Sequence, residues 1–142
     1  MKSSDKLIEA LKGFEGFSAK PYRDSVGVWT QGWGHTRGVT AKSKEVTEEQ
    51  AEKWLRQDLK DAEDRINNLA IAKTQGQFDA LVDFVYNLGI NAFLSSTLIK
   101  CIRRGGGKFE IQYQFKRWCY AGGVKLGGLV KRRAWEAERY YE

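Results

Sequence analysis

Three side chains near the N-terminus have the types and spacing to hydrolyse a glycosidic bond. Asp24 lies nine positions after Glu15, and Thr30 six after Asp24. Such a reaction needs a carboxylic acid to protonate the leaving oxygen, and a second group to handle the water or the cationic sugar. Glu15, at a helix end and backed by Phe14 and Phe17, is expected to be partly desolvated. Desolvation raises a carboxyl pKa and keeps the proton available. Asp24, in a polar turn, is expected to stay ionised, and the Thr30 hydroxyl can orient a water. Spacing alone leaves a second reading open, in which these are a surface carboxylate and a turn aspartate.

The elements that must position them follow from pattern. Leu7, Ile8, Leu11 and Phe14 fall at helical spacing, which predicts a helix over about 3–13 with Ser3, Ser4 or Asp5 as N-cap. It should end near Gly13 to Gly16, with Glu15 at its edge. Pro21 and the glycines break any helix, while Val26, Val28, Trp29 and Thr30 favour short antiparallel strands. Thr47-Glu48-Glu49-Gln50 is a capping box, and Ala51, Trp54, Leu55, Leu59, Ala62, Ile66 and Leu69 continue one apolar stripe. That predicts a single helix over about 47–69, roughly 30 Å long. A second capping box, Thr74 to Gln77, precedes Phe78, Leu81, Val82 and Val85, with Gly89 as C-cap. Ser95 or Ser96 can cap a shorter helix that ends at Gly105 to Gly107. A helical piece over Phe109 to Trp118, a glycine-rich loop "AGGVKLGGL" and a basic amphipathic helix over Val130 to Tyr141 complete an α+β chain with helix in excess.

Composition bounds the function. A chain of 142 residues with 42% hydrophobic and 13% aromatic residues can build one real core, which excludes disorder. No apolar run approaches the ~20 residues needed to span a bilayer, and Met1-Lys2-Ser3-Ser4 does not lead into a signal sequence. Cys101 and Cys119 make no disulfide framework and are read as free buried thiols. With a lone histidine they are poor metal-site material, so no metal and no cofactor is expected. A Cys–His peptidase would need one of them beside His35, and neither lies in a nucleophile motif. The net charge is +6, and from Lys100 onward eleven Lys/Arg face four Asp/Glu, so the last third favours anionic partners. Those could be nucleic acid, a membrane surface or the acidic bacterial wall, and a non-catalytic basic wall or nucleic-acid binding module is the rival to an enzyme. Trp29, Trp33 and Trp54 could stack on sugars, although aromatics at these spacings more often belong to a core.

The stretches "FEGF" and "YRDSVGVWTQGWGHT" resemble the N-terminal signature of the bacteriophage-type lysozymes, the endolysins of glycoside hydrolase family 24. That signature is a glutamate, eight residues, an aspartate or cysteine, five residues and a threonine, here Glu15, Asp24 and Thr30. "TQGQFDALVDFVYNLG" is similar to the family's first C-lobe helix, and "FKRWCYAGGVKLGGLVKRRAWEAE" to its Trp-x-x-Ala-Gly-Gly…Arg-Arg…Glu segment. The resemblance runs end to end. It departs at Gln31, where many relatives have an apolar residue, and around Trp118-Cys119-Tyr120 and Gly127-Gly128.

The resemblance implies one lysozyme domain over 1–142 with a two-lobed lysozyme-like fold. An N-terminal lobe at about 14–46 would carry a small antiparallel sheet. A long connecting helix at about 47–69 would lead to a helical C-terminal lobe at about 70–142, joined by helix 3–13. Peptidoglycan would lie between the lobes, hinged near Gly13 to Gly16 and Asn67 to Ala70. The bond cleaved would be β-1,4, between N-acetylmuramic acid and N-acetylglucosamine, with Glu15 as general acid. Asp24 and Thr30 would position water, inverting the anomeric carbon. Tyr86 and Ser96 match saccharide-lining positions. Arg132 and Arg133 would place a guanidinium near the catalytic carboxylate, opposing the rise in its pKa. His35 and Asp58 would form a supporting ion pair, with the imidazole pKa raised. The resemblance further implies a monomer acting on peptidoglycan, with no nucleic-acid partner and no stable membrane insertion. Lacking a signal peptide or anchoring helix, it would be made in the host cytoplasm and reach the wall through a holin-like pore.

Overall fold

A computed structural model describes all of residues 1–142, and contacts divide the chain into two units, Ile8–Lys60 and Met1–Leu7 with Asp61–Glu142. The divisions fall inside the first helix and one residue into the third. The expected lobes instead began at about 14 and 70.

The first helix, α1 (Asp5–Glu15), is capped by Ser4, whose hydroxyl accepts from the Leu7 N–H at 3.2 Å. It stops at Gly16, whose N–H reaches the Lys12 carbonyl at 3.0 Å with φ at +69°, a left-handed cap that glycine takes without a Cβ penalty. Glu15 is therefore the last helical residue. Strand β1 (Ser18–Arg23) pairs antiparallel with β2 (Trp29–Gly32), setting Tyr22 opposite Thr30 and Arg23 opposite Trp29. Thr47 caps α2 (Glu48–Asp58) by accepting from the Gln50 N–H at 3.1 Å, as the capping-box sequence predicts. Leu11, Trp33, Val46, Ala51 and Leu55 form this unit's core. Trp33 is thus a core residue, not a sugar platform.

The single long helix expected over 47–69 is instead α2 and α3 (Lys60–Leu69), interrupted at Leu59. Leu59 keeps right-handed dihedrals (φ −75°, ψ −15°), its N–H still reaches the Leu55 carbonyl at 3.1 Å, and its side chain is buried. Such a residue preserves helical phase, so the apolar stripe runs through the interruption without registering it.

In the other unit, α4 (Gln75–Leu88) is buried over most of its length and is followed by short α5 (Ile90–Leu94), α6 (Thr97–Arg103) and α7 (Lys108–Lys116). A small hairpin, β3 (Tyr120–Ala121) with β4 (Val124–Lys125), forms where a glycine-rich loop was expected. The closing helix, α8 (Gly127–Arg139), packs on α4 and α7 and starts earlier than its apolar pattern implies. Phe84 is central, meeting Phe93, Phe115 and Trp118 edge-on at 5.5–5.9 Å. Each buried aromatic or aliphatic side chain here contributes about 1.5–3 kcal/mol. Buried Asp79 gathers Ser4 N–H and Oγ–H, Gln75 Nε2 and Arg139, so one carboxylate ties the N-terminus to α4 and α8. Both cysteines are free and buried. No helix is long and apolar enough to cross a membrane.

Candidate active site

The half-buried Glu15 carboxyl lies against the turn after β2. At Gly34, φ is +76°, and a methyl group there would sit 2.7 Å from Glu15 Oε2 and 3.1 Å from its Cδ. Only a residue without Cβ lets backbone approach the acid this closely. The turn is closed by reciprocal backbone bonds between Gln31 and His35 at 2.8 and 2.9 Å. His35 is fixed in turn: its Nδ1 lies 2.8 Å from Asp58 Oδ2, and its ring stacks on Trp54 with centroids 4.3 Å apart. The sequence-expected pair of His35 with Asp58 is thus brought together, and it fastens the turn bearing Gly34 to α2. On the other flank Lys12 binds Glu52 at 2.6 Å and lies over the Trp33 ring, joining α1 to α2. The hydrogen bond from Lys12 holds the Glu52 carboxyl below its usual value, and Glu52 raises Lys12.

Asp24 and Thr30 share one backbone anchor, Val28. Asp24 Oδ1 accepts from the Val26 and Val28 N–H groups at 3.0 and 2.9 Å. The Val28 carbonyl accepts from the Asp24 N–H at 2.9 Å and from Thr30 Oγ1 at 3.0 Å. Two consequences follow. The turn spends one carboxylate oxygen on structure and leaves Oδ2 outside those bonds. Thr30, only 4% exposed, has its proton committed, so its oxygen is available as an acceptor.

The remaining expected site residues lie in the other unit. Tyr86 sits half-buried on α4. Ser96 is buried and caps α6: its hydroxyl accepts from the Ile99 N–H at 3.2 Å and donates to the Phe93 carbonyl at 2.6 Å. A structural task therefore already occupies it. Arg132 makes a bidentate pair with Asp83 at 2.8 and 3.0 Å. Arg133, fully buried, lies 2.8 and 2.9 Å from the two Glu136 oxygens, bonds Asn87 at 2.8 Å and sits over the Phe84 ring. Burial pushes the Glu136 carboxyl well above the usual range, and the adjoining Asp83 adds to it, outweighing Arg133. Burial opposes the Asp83 anion, but the hydrogen bond from Glu136 and the charge of Arg132 hold its pKa low.

Sequence reasoning missed Gly34, the Val28 anchor and the Asp83–Glu136 pair. The only signals were the glycine before His35 and the three-residue step from Arg133 to Glu136, which sets both on one helix face.

The phage lysozyme family model matches residues 12–136. An endolysin of Bacillus phage PZA is 38% identical over 139 residues, which is 96% of this chain and 54% of that one. The chain therefore spans about half the length of that relative. Among solved structures, an endolysin from Escherichia coli O157:H7 phage FAHEc1 matches with a TM-score of 0.87 at 35% identity, covering 100% of this chain and 94% of that one. The muramidase domain of SpmX from Asticaccaulis excentricus matches with a TM-score of 0.87 at 32% identity, covering 99% and 98%. With an α+β lysozyme-like fold and a family match over most of its length, the chain belongs to the phage lysozyme family.

Proposed function

We propose that the chain is a muramidase of bacterial peptidoglycan, cleaving the β-1,4 bond between N-acetylmuramic acid and N-acetylglucosamine. Glu15 is the general acid that protonates the glycosidic oxygen. The observation that carries this is its seat at the end of α1 against Gly34, where helix and turn fix one carboxyl position. Proton delivery depends on such fixed geometry. Asp24 and Thr30 hold the water. A water that donates one hydrogen to Asp24 Oδ2 and the other to Thr30 Oγ1 has a lone pair left to attack the anomeric carbon. The tie of both side chains to Val28 keeps these acceptors in register. Attack by that water, with no covalent intermediate, inverts the anomeric centre. A non-catalytic wall binder would account for the basic last third but leave this arrangement idle.

Product analysis tests the reading. Digestion of purified peptidoglycan should release fragments with new N-acetylmuramic acid reducing ends, the first product having inverted configuration by proton NMR. Fragments ending in reducing N-acetylglucosamine, or retained configuration, would contradict it.

A further inference from the structure

The segment that places Gly34 against Glu15 begins at Gln31, and Gln31 lines a separate cavity of about 430 Å³ in the same unit. Arg37, Lys44, Ser43, Gln50 and Trp54 line it as well. This volume falls within the ~300–1,000 Å³ of small-ligand sites. Gln31 is only 1% exposed, and its Nε2 donates to the Ala19 and Lys44 carbonyls at 2.9 and 2.5 Å. Two carbonyls fix which end of the amide is the donor. Oε1 takes part in neither of these bonds and makes no other hydrogen bond within the protein. Arg37 and Lys44 bring two cations that no carboxylate engages. Trp54, stacked on His35 by one face, supplies an apolar wall.

We infer that this cavity binds a short peptide through its carboxylate and an N–H. The cations take the carboxylate, Gln31 Oε1 accepts from the amide or amine, and Trp54 covers the aliphatic part. A polyphosphate fits less well, because it offers no donor to Gln31. Under the muramidase reading, on which the identity of this peptide rests, the ligand is the carboxylate-bearing peptide attached to the muramic acid of the wall. Polar Gln31, where the family resemblance leads one to expect an apolar residue, then has a use.

The test titrates an alanyl-glutamate dipeptide into the full chain and follows the Trp54 indole and Gln31 side-chain amide signals by NMR. Inorganic phosphate is titrated in parallel. Saturable shifts of both signals with the dipeptide are expected, weakened at least tenfold by Arg37→Ala with Lys44→Ala. Circular dichroism confirms that the double variant stays folded. No saturable shift, an equal response to phosphate, or undiminished binding by the folded double variant would each overturn the inference. Because no glycan is present, a failure here is distinct from a failure to cleave peptidoglycan.

Discussion

The Glu15 carboxyl occupies the space that a side chain at position 34 would need, with Oε2 2.7 Å from where a Gly34 Cβ would lie. Gly34→Ala should therefore displace the acid as well as strain the backbone. The positive φ costs about 1–2 kcal/mol, which a folded domain can absorb. Misplacing a catalytic group by about 1 Å can cost ~10²-fold in rate. Wall-lysis rate and thermal unfolding should separate, with a large loss in the first and a small one in the second. Equal rates for variant and parent would show that the contact is incidental.

Asp24 does two tasks with two oxygens, so its substitutions should divide them. Asp24→Asn retains an acceptor for the Val26 and Val28 N–H groups and should unfold near the parental temperature while losing most activity. Asp24→Ala should also lose about 1 kcal/mol of stability with the turn bonds. Paired unfolding curves and lysis assays check this, and an active Asp24→Asn would remove Asp24 from the water site.

Stability should fall as pH rises above the ordinary glutamate range. Burial and Asp83 oppose ionisation of Glu136 and raise its pKa in the folded chain. The unfolded chain releases that proton near pH ~4.3. From there up to the raised folded value the native state holds the extra proton, and stability declines by up to about 1.4 kcal/mol per pH unit. Asp83 acts in the opposite sense: its contribution is present above ~3.9 and lost as pH falls below. Glu136→Gln, which mimics the protonated acid, should flatten the decline on the alkaline side. Thermal unfolding at a series of pH values measures it, and equal slopes for parent and variant would contradict the assignment.

Gly76 meets the end of the chain. A Cβ there would lie 2.3 Å from the Arg139 carbonyl oxygen and 2.7 Å from that of Glu142. Gly76→Ala should destabilise by about 1–3 kcal/mol through overpacking. Chemical denaturation reads that loss, and an unchanged midpoint would refute the close approach.

What the sequence displays depends on whether the cause is local. Glu15 at a helix end is legible because Leu7, Ile8 and Leu11 set the phase and Gly16 the stop. The caps at Thr47, Thr74 and Ser96 are legible for the same reason: a hydroxyl meets an N–H three residues on. The interruption at Leu59 is invisible because it keeps helical phase. The β3–β4 hairpin hides in four residues of strand, too few to show alternation. Gly34 against Glu15, and Glu136 against Asp83, are approaches between distant segments. No spacing along one segment encodes them.

The central claim is that Glu15 delivers the proton. Glu15→Gln keeps the size and much of the hydrogen bonding of the side chain but has no acidic proton. The decisive measurement is release of reducing ends from purified peptidoglycan by this variant beside the parent, with both unfolding at closely similar temperatures. General acid catalysis is typically worth ~10²–10⁴-fold, so the account predicts a fall of at least that size. A folded Glu15→Gln chain that releases reducing ends at the parental rate would contradict it.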